Sequence, residues 1–89
     1  MTLDKTFTAV LQQGKQKGSW IRIIMPGSAD FFGTRGVVKV RGTLDGQPFE
    51  GSFIPMGDGT HMLPVNALAR KALGKEIGDT LTIHLVERL

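Results

Sequence analysis

The sequence predicts a mainly β fold, a small closed or double-split β-barrel of about six to seven short strands with one capping α-helix. Apolar and polar residues alternate over most of the chain, which is the period of a half-buried strand. Turns rich in Gly and Pro separate these segments, with 12 Gly and 4 Pro among 89 residues. A chain of this length makes a single domain, residues 1–89, and closing its sheet removes the unpaired edges.

The first strand segment covers residues 5–12. Its apolar side chains Phe7, Ala9 and Leu11 share one face, as in a half-buried strand. Residues 14–18 are rich in Gly and Lys, so we expect a turn there.

The second strand segment, residues 20–25, is partly apolar on both faces, which is typical of a barrel wall covered on both sides. The residues that follow are too few for a stable helix. They can form one helical turn, capped by Ser28 and closed by Gly33. Phe31 and Phe32 are adjacent on this turn and cannot easily both point inward. One could be exposed as a contact for a partner, although a plug at the barrel corner is the favoured expectation.

Residues 37–44 and 48–54 have the alternation of a third and a fourth strand. Asp45 and Gly46 lie between them. This dipeptide predicts a tight hairpin, because both central residues of a type I′ turn have positive φ.

One helix is predicted, over about residues 65–73, where nearly all residues favour helices. Asn66 is its expected N-cap and Gly74 its left-handed C-cap. Leu68 and Ala72 lie four residues apart, so we expect their side to face the core.

The remaining strands are residues 61–63 and residues 80–86, the second with three apolar residues directed inward. Residues 20–40 and 61–85 share an order of strand, Pro, helical turn, Gly and strand. This weak repeat predicts two units paired about a pseudo-twofold axis.

The charge and composition of the chain exclude some classes of function and favour others. Eleven Lys and Arg against eight Asp and Glu give a net charge of +3 and a pI near 9.7. This basicity is one indicator of nucleic-acid binding. With no cysteine, disulfides, thiolate catalysis and cysteine zinc sites are excluded. The chain shows no signal pattern and no membrane-spanning segment, so we expect a cytoplasmic protein with no membrane partner.

A basic strand face is the main candidate for a binding site. Arg35, Lys39 and Arg41 alternate, so on a regular strand all three point to one side. Trp20 and Arg22 share a face of the preceding strand. If the two strands are neighbours, these five residues form a patch that binds nucleic acid, with arginines on phosphates and the indole on a base. The alternative is a solvated outer face.

Catalytic and metal sites are expected to be absent. Ser52, His61 and Asp58 could in principle form a hydrolytic triad, but no nucleophile elbow surrounds the serine. His61 and His84 lack the further ligands that zinc needs. We therefore expect no enzyme activity, no cofactor and no metal. Asp58 and His61 remain a weak loop or ligand site, and a hydrogen bond between them is the simpler expectation.

The chain shows two resemblances to known families. The segment from Leu63-Pro64-Val65 to Leu81-Thr82-Ile83 resembles the swapped-hairpin repeat of AbrB- and MazE-type proteins. The whole chain resembles more closely a bacterial domain-of-unknown-function family, number nineteen-oh-five. The motifs that carry this second resemblance are Phe7-Thr8-Ala9, Trp20, Pro26, Phe32-Gly33, Lys39-Val40-Arg41-Gly42-Thr43, Asp45-Gly46-Gln47-Pro48-Phe49, Pro55-Met56-Gly57-Asp58-Gly59-Thr60-His61 and Leu73-Gly74 with Gly78-Asp79.

The resemblances imply a double-split or AbrB-like small barrel and no particular activity. AbrB-type proteins bind DNA as dimers through basic residues, which favours the nucleic-acid hypothesis. MazE-type relatives bind a partner through a disordered tail, whereas here the sequence reads as strand up to Leu89. The alternative hypothesis is an interaction domain for a protein partner or a small ligand.

Overall fold

Seven antiparallel strands form one sheet that curls into a half-barrel. The computed structural model describes residues 2–15 and 20–89; most of the turn predicted at residues 14–18 lies outside this part. The mainly β prediction is confirmed. The elements are β1 (Thr2–Val10), β2 (Gln12–Gln13), β3 (Ile21–Met25), α1 (Ser28–Phe32), β4 (Val38–Leu44), β5 (Gln47–Pro55), β6 (His61–Pro64), α2 (Ala67–Leu73) and β7 (Thr80–Arg88).

The strand order in the sheet is β1-β7-β4-β5-β6-β3-β2. The two end strands, β1 and β2, are consecutive in the chain and are separated by Leu11 alone. Leu11 is fully buried, its N–H donates to the Asp79 carbonyl (2.8 Å), and its carbonyl accepts from the Gly78 N–H (2.8 Å). One continuous stretch of chain therefore supplies both ends of the sheet, which requires the sheet to curl.

The core lies on the concave face of the sheet. Alternate residues of each strand point into it, so the predicted period of two is confirmed in β7, where Leu81, Ile83 and Leu85 are all fully buried. The other core residues are Leu11, Ile23, Met25, Phe32, Val38, Val40, Leu44, Phe53, Leu63 and Val65.

Helix α1 closes one end of the half-barrel. Phe32 is buried in the core and Phe31 is 40% exposed, as expected for the two phenylalanines. Gly33 closes the helix in the left-handed region (φ 71°), also as expected. The N-cap prediction is wrong, because Gly27 (φ 67°) takes that position and makes no side-chain cap. Ser28 is instead fully buried.

Helix α2 has the predicted caps and a different core face. Asn66 accepts a hydrogen bond from the Ala69 N–H (2.8 Å), and Gly74 has φ 67°. The prediction that Leu68 faces the core is wrong, because Leu68 is 80% exposed and Ala69 and Leu73 pack against the core in its place. Val65, the residue before the N-cap, determines which helix face is buried. Val65 itself is buried, and Ala69 and Leu73 follow it at intervals of four residues, so the three lie on one face.

The order of secondary-structure elements repeats along the chain, whereas the pseudo-twofold relation itself stays a prediction. Strand β3, helix α1 and strand β4 have the same order as β6, α2 and β7. Strand β3 pairs with β6 and β4 pairs with β7, both antiparallel. Because β3 and β6 run in opposite directions, the helices that follow them lie at opposite ends of the sheet.

Two local backbone features fix the register of β4. The predicted hairpin is present, with positive φ at both Asp45 (49°) and Gly46 (83°). An irregularity in the β4–β7 ladder lies between Arg41 and Gly42, where the strands approach closely. A Cβ atom on Gly42 would overlap the carbonyl oxygen of His84, so only glycine fits this position.

Candidate functional site

The basic residues expected to form one patch lie on separate parts of the sheet. Trp20 and Arg22 belong to the β3 region, and Lys39 and Arg41 belong to β4. Strands β5 and β6 lie between β3 and β4, so the condition on which the shared patch depended is not met. The sequence could not predict this order, because the pairing of distant strands does not follow from their alternation.

On β4 the alternation itself is as predicted. Lys39 is exposed between buried Val38 and Val40, and Arg41 is exposed between buried Val40 and Gly42. Arg35 lies in the loop before the strand, which begins at Val38, so strand alternation does not align it with the other two.

The charge of Arg41 is balanced by its neighbours. Its guanidinium forms an ion pair with Glu87 on β7, and in the β4–β5 register it lies opposite Glu50. The outer face around Arg41 therefore presents little net positive charge.

The hydrogen bond expected between Asp58 and His61 is not formed, because each side chain bonds to other partners. The Asp58 carboxylate accepts hydrogen bonds from the hydroxyl and the backbone N–H of Thr60. These bonds stabilise the ionised form, so the pKa of Asp58 is below its ordinary value of 3.8. His61 is fully buried, because the first residue of β6 points into the core.

Both ring nitrogens of His61 have partners. Its Nε2 lies 2.8 Å from the Gly36 carbonyl oxygen, which can only accept, so Nε2 carries the proton. Its Nδ1 then accepts from the hydroxyl of buried Ser28 (2.6 Å). This pair ties α1 to β6 inside the core, whereas Ser52 lines a groove elsewhere. The triad considered from sequence is not assembled.

Histidine and carboxylate groups are dispersed. His84 pairs with Asp4 (Nε2 to Oδ1, 2.9 Å) at the surface. Among residues 2–15 and 20–89, no three His, Asp or Glu side chains are placed to hold a metal ion.

A groove of about 540 Å³ lies where β2, β3, β5 and β6 meet the start of α2. We call it the Trp20 groove. Its apolar wall consists of Trp20, Ile21, Ile54, Pro64 and Val65. Among the described residues, the lining also includes four polar ones: Gln13, Ser52, Asn66 and Arg70.

Trp20 is the most prominent side chain of the groove. It lies one residue before β3, beyond the last β2–β3 pair (Gln13 with Ile21), so within the described residues no strand pairs with it. Its side chain is 57% exposed, an unusual position for the chain's one tryptophan.

Comparison with known protein families gives a match over most of the chain. A family model described as Domain of unknown function (DUF1905) matches residues 7–85. The chain belongs to this family. Among curated proteins, none matches the chain. No helix in the described part of the chain is long and apolar enough to cross a membrane.

The part of the chain matched to the DUF1905 family contains every described residue that lines the Trp20 groove. Of these residues, only Trp20 belongs to the binding patch predicted from the sequence, and Arg70 is the charged residue that the prediction missed. The sequence marks it only as a helix-forming residue away from the core, and the position of α2 beside β6 brings it to the groove. Its Nη1 donates to the Val65 carbonyl (2.6 Å), which fixes the guanidinium at the groove wall.

Proposed function

We propose that this DUF1905 chain is a non-enzymatic binding domain of a bacterial cytoplasmic protein, and that it takes a small ligand in the Trp20 groove. The observation that carries the proposal is the exposed indole beside an aliphatic wall. A tryptophan gains much from burial and retains a polar N–H, so it is well suited to cover a ligand.

The dimensions and lining of the groove support the same function. Small-molecule sites are typically about 300–1,000 Å³, mostly apolar, with a few polar groups that orient the ligand. The volume of the groove is about 540 Å³, and the described part of the chain lines it with five apolar residues and four polar ones.

The test is a titration of ¹⁵N-labelled protein with the neutral fragments benzyl alcohol, p-cresol and naphthylmethanol. We expect saturable amide shifts at Ile21, Val65 and Asn66, and a shift of the Trp20 indole N–H. Trp20→Leu should weaken binding, and Val86→Ala, at an exposed apolar position on β7, serves as the control. Shifts spread over the surface, or concentrated on β1 and β7, would overturn the proposal.

A second candidate is nucleic-acid binding through the exposed basic side chains of Arg35 and Lys39. The net charge of +3 and the exposure of these two residues favour it. The resemblance of the second half of the sequence to AbrB-type proteins is a further reason to test it.

Fluorescence anisotropy of a labelled duplex, at about 50 and 200 mM salt, tests this candidate. Each neutralised phosphate contributes about −0.9 to the slope of log K against log salt. Lys39→Gln and Arg35→Gln should each reduce the slope by about that amount, and Lys71→Gln, on α2, is the matched control. Absence of binding at the lower salt would exclude duplex DNA as a ligand.

A further inference from the structure

The described lining of the Trp20 groove contains a cation and no carboxylate. None of the nine lining residues in the described part of the chain is acidic, and one of them is Arg70. Arg70 also borders a neighbouring pocket lined by Glu76 and Asp79, but among the described residues no carboxylate lies within ion-pair distance of its guanidinium. An unpaired, partly buried cation beside apolar surface favours a negatively charged ligand group.

Arg70 is held in place with most of its donors free. A guanidinium has five N–H groups. The Val65 carbonyl takes one of them, and among the described residues no other acceptor bonds to Arg70. The contact with Val65 therefore orients the group and leaves N–H donors for a carboxylate or a phosphate.

Arg22 adds a second cation beside the same wall. It lies directly opposite Pro64, a lining residue, in the β3–β6 ladder, so the two side chains are on one face of the sheet. Its Nε is buried and has no acceptor among the described residues. Buried polar groups normally have a partner, so an orphaned donor here points to a group that the described part of the chain does not supply.

We infer that the Trp20 groove binds a planar aromatic or heteroaromatic ring that carries an acidic group. The ring lies against Trp20 and the aliphatic wall, and the acid is received by Arg70, with Arg22 adding to the local positive potential. This inference rests on the proposed function and specifies the chemical class of its ligand.

The experiment compares three matched probes by the shift of the Trp20 indole N–H in ¹⁵N-labelled protein. Naphthoate has the ring and the charge, naphthylmethanol the ring alone, and cyclohexanecarboxylate the charge alone. We expect naphthoate to bind about tenfold more tightly than naphthylmethanol, as one charge-assisted hydrogen bond predicts, and its affinity to fall with salt. Cyclohexanecarboxylate should bind more weakly than naphthoate.

Substitutions of single residues test which cation binds the acidic group of the ligand. Arg70→Gln should reduce the affinity for naphthoate about tenfold and leave that for naphthylmethanol unchanged. Lys71→Gln removes a neighbouring helix cation that does not line this groove, so both affinities should stay constant. Arg22→Gln is the second variant, and it also weakens naphthoate alone. Circular dichroism confirms that each variant is folded.

Two outcomes overturn the inference and are distinct from failure of the proposed function. If naphthylmethanol binds as tightly as naphthoate, the groove binds ligands without selecting an anion, and the proposed function stands. If none of the three shifts the indole N–H, the ligand class is wrong, and the proposed function fails only if benzyl alcohol and p-cresol also leave the groove amides unshifted.

The acid could come from a carboxylic acid or from a nucleotide. Uridine monophosphate and uridine distinguish these sources in the same assay. The affinity of uridine monophosphate is compared with that of uridine, and the affinity of naphthoate with that of naphthylmethanol. A larger increase for the nucleotide supports a phosphate ligand, and a larger increase for naphthoate supports a carboxylate. If uridine monophosphate binds no more tightly than uridine, and naphthoate no more tightly than naphthylmethanol, neither a phosphate nor a carboxylate ligand is supported and the inference is wrong.

Discussion

The hydrogen bond between Ser28 and His61 is a close contact that the sequence could not reveal. Ser28 has the position of a helix cap, and His61 follows a loop that contains an aspartate, so local reasoning paired each with the wrong group. In the structure they bond to one another across 33 positions of the chain. The partner of a buried side chain depends on which distant strands pack around it. Local patterns in one sequence do not determine that packing.

Gly42 is a residue-scale prediction for stability. Gly42→Ala places a Cβ against the carbonyl oxygen of His84, and because the obstacle is backbone, the β4–β7 ladder must shift. We expect a loss of about 3 kcal/mol in the free energy of unfolding, at the high end for overpacking.

Gly51→Ala is the matched control. There the nearest atom is the Leu63 Cδ1, at the flexible end of a side chain, so the loss should be about 1 kcal/mol. Urea unfolding followed by circular dichroism measures both. Equal losses in the two variants would contradict the close approach at Gly42.

Asp58 gives a prediction for pH dependence. The pKa of its carboxyl in the folded state is below 3.8, chiefly because of the Thr60 hydroxyl bond. A depressed folded-state pKa stabilises the protein above the unfolded value, and this contribution is lost as the pH falls through the folded value. The stability difference between the native chain and Asp58→Asn should therefore shrink below pH 3.8.

Carbon-13 NMR of the Asp58 carboxyl group measures this directly. The titration midpoint should lie below 3.8 and should rise in Thr60→Val, which keeps the backbone N–H bond but loses the hydroxyl. Thr34→Val, whose hydroxyl bonds to Gly36, is the control and should not move the midpoint. A midpoint unaffected by Thr60→Val would show that the hydroxyl bond is not formed in solution.

At the scale of elements, strands were predicted better than helix faces. Strand alternation follows directly from side-chain order, so β4, β5 and β7 were placed to within a few residues, and the inward face of β7 was correct. The core face of α2 depends on how the chain enters the helix. Buried Val65 sets that entry, and its burial follows from packing beside β3, where its N–H donates to Ile21.

Helix α1 gives the prediction at this scale. Phe32 contacts the rings of Phe53 and His61 in the core, whereas Phe31 is 40% exposed beside Lys5. Phe32→Ala should lower the free energy of unfolding by about 3–5 kcal/mol, and Phe31→Ala by less than about 1 kcal/mol. Thermal unfolding separates the two, and similar losses would contradict the assignment of Phe32 as the plug.

At the scale of the whole molecule, the sheet order determined which site hypothesis the geometry favours. The sequence predicted a curled β sheet and the exposure of Lys39 and Arg41. It could not place β5 and β6 between β3 and β4, because that order depends on pairings across most of the chain. The same order brought Trp20, Ile54, Pro64 and Arg70 together, although no local pattern connects them.

The ladders predict how stability is distributed over the molecule. Strand β7 is paired along most of its length with β1 and β4, whereas β2 contributes two residue pairs to β3. Local opening should therefore be easiest at β2. Hydrogen exchange should show the slowest amides in β7 and β4 and the fastest strand amides in β2. Equal protection of β2 and β7 would contradict this distribution.

The exposed position of the single tryptophan also determines how the protein can be followed optically. Because Trp20 is already 57% exposed in the folded chain, its fluorescence should change little on unfolding. The same emission should instead report on the electric field around the groove. With Arg70 and Arg22 nearby and no acidic residue in the described lining, iodide should quench Trp20 more efficiently, and caesium less efficiently, than each quenches free N-acetyltryptophanamide.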